Sequence, residues 1–428
     1  MKVLVVGQGA REHTLVWKIA QSSHVEKIYC IPGNPGISKL ADCPPISLEN
    51  DFADLADFAE SEKIELTIVG PEAPLVAGIV DVFRARGLRA FGPNGKAAIL
   101  EGSKNFAKEL MAANGIPTAM HRTFDNPDAA IDYIKEISSP VFVKADGLAR
   151  GQGAIPGRTV EAAIQAVQRI MVDRAFGVAG DIVVIEEELI GEEASFTVLT
   201  DGTHCVPLVS SQDHKMSLDG DKGKNTGGMG AYSPAPVMTP ELHEQVMQEI
   251  VYPTVNAMRT EGRPFTGVLY VGLMIGEAGP KVVEYNCRFG DPETQVLLPR
   301  MESDLVPVLE ACITGTLADV EVEWKSKVAA CVVMAPGGYP DSSETGKVIT
   351  GLDRANALED VTVFHAGTKS QNGHIVTGGG RTLAITAVAP ELKSAIDLAY
   401  RGVAAIDFEH AHYRKDIGYR ALARLGAQ

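Results

Sequence analysis

The chain has 428 residues, 45% apolar and 22% charged. At about 150 residues per domain there is room for roughly three domains, and a disordered or fibrous chain is excluded. Lys and Arg number 39 against 55 Asp and Glu, a net charge of −16, which weighs against a broad basic nucleic-acid face but not against a small anionic ligand held by local cations and N–H groups.

No 18-residue apolar run and no signal-peptide pattern occur, and the six dispersed cysteines form no C-x-x-C. This predicts reduced thiols in a cytoplasmic protein, with no membrane partner and no zinc knuckle. The first hundred residues alternate strand and helix signals: Lys2–Val6, Ile28–Ile31, Leu66–Val69 and Arg89–Phe91 read as strands, with a helix over Arg11–Ala20. Such alternation predicts a doubly wound parallel sheet with ligands at the carboxyl ends of its strands. Ser103 reads as the N-cap of a helix through about Ala113, with Gly115 and Pro117 beyond it. Strands follow at Val141–Lys144 and Ile182–Glu186, with a helix near Val160–Met171 between them. Residues 212–230 are polar and Gly-rich and read as a mobile loop. Val268–Ile275 and Lys281–Tyr285 are strands, and Val328–Met334 and Thr382–Val388 predict a last domain with antiparallel content.

Gly7-Gln8-Gly9-Ala10-Arg11-Glu12 fails as a dinucleotide fingerprint, because Glu12 stands at the third glycine. A glycine turn into a helix still suits an anion, with Arg11 as a fork, although a plain tight turn has the same pattern. Lys144 to Gly153 is a strand and a Gly loop able to fold over phosphates, a pattern shared with ligand-free hairpins. The acidic run Glu186 to Glu193 suits either an adenine amino group and ribose hydroxyls or a solvated turn. Glu284-Tyr285-Asn286 is sharper. Positions 284 and 286 of a strand point the same way, and Glu and Asn there give two hard oxygen ligands to one Mg²⁺, which also takes phosphate oxygens. Arg288 continues on that side if the chain stays extended. No H-E-x-x-H or G-x-S-x-G occurs, and Cys287 reads as buried packing.

In chain order come Gly7 to His13, Val69 to Leu75, Glu101 to Lys104, Lys144 to Ala149, Ser211 to Lys215, Asn225 to Ser233, Arg288 to Gln295 and Tyr413 to Gly418. Together they resemble the phosphoribosylamine–glycine ligase (glycinamide ribonucleotide synthetase) family of ATP-grasp enzymes, over nearly the whole chain. The resemblance implies a mixed α/β and α+β fold: a doubly wound N-terminal domain (1–120), an ATP-grasp small lid (121–190), an ATP-grasp large part (191–322) and a mixed C-terminal domain (323–428). It implies ligation of glycine to 5-phosphoribosylamine, giving glycinamide ribonucleotide, ADP and phosphate through a glycyl phosphate, in de novo purine biosynthesis. ATP and Mg²⁺ or Mn²⁺ would be required, by a monomer without nucleic-acid or membrane partners.

Position by position, the resemblance makes Glu284 and Asn286 metal ligands. ATP would meet Lys104, Lys144, Gly151 and Gly153 at its phosphates, Glu186, Glu187 and Leu189 at adenine, and Glu193 at ribose. Arg288, Asp213 and Lys215 would be catalytic, Arg288 near the transferred phosphoryl group or the glycine carboxylate. Gly9, Arg11, Glu12, Pro71, Glu72 and Asp291 would lie near phosphoribosylamine, with Asn225, Thr226, Gly227 and Gly228 closing over the reacting groups. The sequence departs from the family pattern at Gln152, where a lysine is expected, and Arg150 is expected to substitute in part. Met216, Lys224 and Ala10 are further departures. Competing readings are a related ligase with another carboxylate or amine, a nucleotide-binding protein without catalysis, and a dehydrogenase. The retained Glu284, Asn286, Lys104, Lys144 and Arg288 oppose the second, and the missing glycine opposes the third.

Overall fold

The computed structural model describes residues 1–149 and 151–426. β1 (Lys2–Gly7), β2 (Lys27–Pro32), β3 (Leu66–Val69) and β4 (Ala90–Phe91) pair in parallel in the order β2-β1-β3-β4. Both faces are covered, as a doubly wound sheet requires. Alternate side chains of β1 feed two cores, Leu4 and Val6 entering one and Val3 and Val5 the other. The helix Lys104–Ala113 leaves this part, and Ser103 caps it by accepting the Phe106 N–H at 3.0 Å. Gly115 follows at φ +66.

β5 (His121–Phe124), β6 (Val141–Ala145), β7 (Ala154–Gly157) and β8 (Val183–Glu187) form an antiparallel sheet in the order β5-β8-β6-β7. Phe124, Val141, Val143, Val183 and Ile185 give it a separate small core with the helices Pro127–Ile137 and Val160–Val167. Past Val167 the predicted helix continues in a wider turn, Gln168–Val172.

β9 (Glu192–Asp201) and β10 (Cys205–Pro207) begin a second antiparallel sheet. The chain then makes β11 (Gln212–Asp213), β12 (Met216–Leu218), β13 (Lys222–Asn225) and β14 (Gly230–Ser233). It returns in β15 (Thr266–Gly276) and β16 (Gly279–Asn286), completing the order β10-β9-β15-β16. The last part holds β17 (Val328–Met334), β18 (Val361–His365), the hairpin β19 (Thr368–Gln371) and β20 (His374–Thr377), and β21 (Leu383–Ala389). Its five-stranded sheet runs β11-β14-β17-β21-β18, so the antiparallel C-terminal sheet borrows two strands from mid-chain. No helix among the described residues is long and apolar enough to cross a membrane.

The expectation of a mobile loop over 212–230 is corrected: the segment is strand and hairpin, and its polar groups are bound from the C-terminal end. Arg414 is fully buried and donates to Met216 O at 3.1 Å, Asp221 at 2.9 Å and both Asp416 oxygens at 2.8 Å. Asp416 accepts the Gly220 N–H, and Asp219 the Lys415 N–H, each at 2.8 Å. Arg420 and Tyr419 also bind Asp221. The motif from Tyr413 to Gly418 is thus a latch on the β12–β13 hairpin. Asp221→Asn is expected to cost about 1–3 kcal/mol, because charged hydrogen bonds are lost beside a buried guanidinium. A thermal melt reads this as a lower unfolding midpoint, and an unchanged midpoint would show that the latch carries no load.

Candidate functional site

The two central sheets meet where β6 and β8 approach β16. Lys144, on β6, donates to Glu186 on β8 at 2.8 Å and to the backbone oxygen of Val283 at 3.4 Å. Strand alternation puts Glu284 and Asn286 on one side of β16, as predicted. Burial alone would raise the Glu284 carboxyl, yet Lys215, Lys144, Lys104 and Arg288 bring it down to about 2. Lys215 stands 3.6 Å from both Glu284 and Glu193. Burial works against its ammonium, but these carboxylates and Asp213 hold its pKa well above the ordinary value. Unlike Glu284, Asp213 is raised: burial lifts its carboxyl, opposed by Lys215 and reinforced by Glu293, Glu193 and Glu284. Glu293, which accepts from Tyr270 at 2.8 Å and Ser195 at 3.1 Å, completes this corner.

The donor set fits Mg²⁺. Glu284 is held ionised, Asn286 adds a neutral hard oxygen, and both share a face. Among the described residues no group of three or more His, Cys, Asp or Glu could hold a metal alone, so remaining ligands would come from phosphates and water.

The chain does not stay extended past Asn286, yet Arg288, in the bend that follows β16, still reaches the same side by donating to Asn286. Its fork is divided between Asn286 Oδ1 at 2.7 Å, Glu101 at 3.2 Å and Glu72 at 3.3 Å. Glu101 also accepts the Cys287 N–H at 2.7 Å. Burial opposes the Arg288 charge, but Glu101 and Glu72 raise its pKa. Burial raises the Cys287 thiol well above its ordinary range, consistent with packing rather than nucleophilic use.

At the other end, Glu186 is buried and its Oε1 has no partner among the described residues. Glu187 is committed elsewhere, accepting the Met120 N–H at 3.0 Å and Lys281 at 3.1 Å. Leu189 lies half-buried just past β8. Lys104 donates to Gly147 O at 3.3 Å, and burial lowers its pKa. Gly151 is exposed and Gly153 buried, and Gln152 closes a turn onto Ala149 O at 2.9 Å. Arg150, expected to substitute for the missing lysine, lies outside the described residues.

The first glycine turn differs from its expected form as an open anion site. The Gly9 N–H is donated to Glu12 Oε2 at 2.6 Å, and Arg11 Nε to Glu12 Oε1 at 2.6 Å. Gly7, Gly9 and Gly70 make room for this carboxylate, since a Cβ at any of them would collide with it. The residue that breaks the fingerprint therefore ties up the Gly9 N–H that an open turn would offer to an anion. Gly70→Ala should displace Glu12 and cost about 1–3 kcal/mol by overpacking, read as a lower melting midpoint; an unaltered melt would refute the cradle. Arg11 also reaches Phe289 O at 3.3 Å and Glu72 at 3.9 Å, bringing Glu72, just after Pro71, to the Arg288 corner. Asp291 faces the same turn and pairs with Arg381 at 3.1 Å. Arg381 donates to Gly227 O at 3.0 Å and Gly228 O at 3.2 Å, while Thr226 holds Lys215 O at 2.8 Å. Asn225 touches Gly151 O at 3.5 Å.

Sequence reasoning missed Glu101, Lys108, Glu293 and Arg381 as site residues. Glu101 and Glu293 sat inside quoted motifs, a usable signal. Lys108 and Arg381 carried none.

This junction sets lysines and two hard oxygens at one end and, at the other, a buried carboxylate oxygen unpartnered among the described residues, and the family matches place the chain in the ATP-grasp class of ligases. The three parts of phosphoribosylglycinamide synthetase match in order: its N domain over 1–101, its ATP-grasp (A) domain over 102–294 and its C domain over 329–420. The phosphoribosylamine–glycine ligase of Pseudomonas aeruginosa is 51% identical over 426 residues, covering 99% of each chain. That of Ralstonia nicotianae is 51% identical over 427 residues, covering 99% of this chain and 100% of its own. The crystal structure of the Thermotoga maritima phosphoribosylamine–glycine ligase superposes with a TM-score of 0.85 at 32% identity, covering 97% of this chain and 100% of that one. A biotin carboxylase from Campylobacter jejuni shares the fold alone, with a TM-score of 0.72 at 13% identity, covering 96% of this chain and 92% of that one. The chain belongs to the phosphoribosylglycinamide synthetase family.

Proposed function

We propose that the chain joins glycine to 5-phosphoribosylamine at the expense of ATP, giving glycinamide ribonucleotide, ADP and phosphate, a step of purine biosynthesis. The observation that carries this reading is Lys144, which ties β16 at Val283 O, beside Glu284, to the Oε2 of Glu186, whose Oε1 has no partner among the described residues. A nucleotide laid along that line has its base at Glu186 and its phosphates among Lys104, Lys144 and Lys215, with Glu193 at the ribose. Mg²⁺, or Mn²⁺ in its place, held by Glu284, Asn286 and phosphate oxygens, would neutralise charge on the phosphates.

A carboxylate is a poor acyl donor, since it would have to expel an oxide. A glycine carboxylate oxygen attacks the γ-phosphorus and ADP leaves, giving glycyl phosphate. The amine nitrogen then attacks the acyl carbon, sheds a proton and expels phosphate. The lysines and Arg288 supply positioning and charge neutralisation, and no protein nucleophile is needed. Arg288 would hold the glycine carboxylate or the transferred phosphoryl group, beside Asp213 and Lys215. Gly9, Arg11, Glu12, Pro71, Glu72 and Asp291 would hold phosphoribosylamine, with residues 225–228 closing over it. Residues 1–120 would form the substrate domain, 121–190 the lid, 191–322 the large ATP-grasp part and 323–428 the C-terminal domain, in a cytoplasmic monomer acting on small molecules.

The test is ADP release with Mg²⁺, ATP, glycine and phosphoribosylamine generated in situ, each omitted in turn. Release should require glycine and the amine together. Release with another carboxylate in place of glycine, and none with glycine, would reassign the substrate.

A further inference from the structure

Glu186 carries two cations on one oxygen. Its Oε2 lies 2.8 Å from Lys144 Nζ and 3.0 Å from Lys108 Nζ, while Oε1 is buried with no partner among the described residues. An unpaired buried acceptor is unfavourable unless a donor arrives with a ligand. With one cation the carboxylate could turn and present either oxygen. Two cations from different elements fix which one is free. Lys108 stands one helical turn beyond Lys104 on the same helix face. It is 2% exposed and donates to Thr118 Oγ1 at 2.8 Å, and Thr118 in turn donates to Val282 O at 2.7 Å. Its ammonium is thus anchored to β16 as well as to β8.

Resting on the reading of Glu186 as the adenine edge, we propose that Lys108 is a positioning residue for base selection: it pins Glu186 with Oε1 toward the nucleotide, favouring a purine with an amino group there over one with a carbonyl. A carbonyl would set two acceptors against each other, leaving the buried oxygen unpaired.

Glu186 and Glu187 from β8, Lys144 from β6, His121 from β5 and the Thr118 hydroxyl surround Lys108. Burial lowers its pKa to about 8, with Glu186 opposing the shift. The protonated form is the one that pins Glu186. ATP affinity is therefore full below pH 8 and falls as pH rises through it.

The test compares KM for ATP and for inosine triphosphate, which has a carbonyl in place of the amino group, in the full chain and in Lys108→Met, Lys108→Arg and Glu186→Gln. Lys108→Met is expected to raise ATP KM by about tenfold and erode discrimination against inosine triphosphate. The loss should fall on ATP KM rather than on kcat or glycine KM, and the variant's ATP profile should lack the limb near pH 8. Lys108→Arg should restore selectivity and move the limb to higher pH. If Lys108→Met does not fold, the Arg variant's limb decides. Discrimination altered by Glu186→Gln but untouched by Lys108→Met overturns the role of Lys108 alone. Discrimination untouched by either overturns the adenine-edge reading with it.

Discussion

Glu284→Ala is expected to lower kcat by about 100- to 1,000-fold, the range for removing a preorganised group at a site of developing charge. Glu284 is the only carboxylate of the proposed metal pair, and four cations converge on it: Lys215, Lys144, Lys104 and Arg288. Its loss removes an ionised oxygen ligand and leaves those cations to repel one another. Steady-state rates across a Mg²⁺ titration check this. The half-saturating Mg²⁺ concentration should rise, and Glu284→Gln, which keeps one oxygen, should fall between the two. A kcat within about threefold of the parent at the same Mg²⁺ would take Glu284 out of the reaction.

Arg288→Met should abolish turnover and destabilise the protein by about 3–5 kcal/mol, because Glu101 and Glu72 would lose the guanidinium they share in a buried corner. Burial already raises the Glu101 carboxyl even with Arg288 beside it. Adding Glu101→Gln should therefore recover much of the melting midpoint but none of the activity, separating the structural role from the catalytic one. Arg288→Lys keeps a charge but not the fork that reaches three side chains, and should remain far below the parent in rate. Recovery of activity together with stability in the double variant would make Arg288 purely structural.

The parallel strands were readable because each is a short run closed by Gly or Pro, apolar and β-branched in the first three, and the helix from Lys104 because Ser103 caps it. The pair Glu284 and Asn286 was readable because a two-residue period is local. Contacts between distant segments were not. The polar run 212–230 has the composition of a solvated loop, and nothing in it announces that Asp221 will meet an arginine 193 positions later. Lys108 looks like an ordinary charge on a helix until β8 brings Glu186 against it. Glu12 was visible as a broken fingerprint, but its meaning depends on Gly70, far along the chain, leaving room for its carboxylate.

The central claim is that glycine is activated through its carboxylate by the γ-phosphate of ATP. Glycine labelled with ¹⁸O in both carboxylate oxygens tests it directly, by mass analysis of the phosphate released during ligation. Activation through glycyl phosphate predicts one ¹⁸O in each phosphate formed. Phosphate free of label, with glycinamide ribonucleotide still produced, would contradict it.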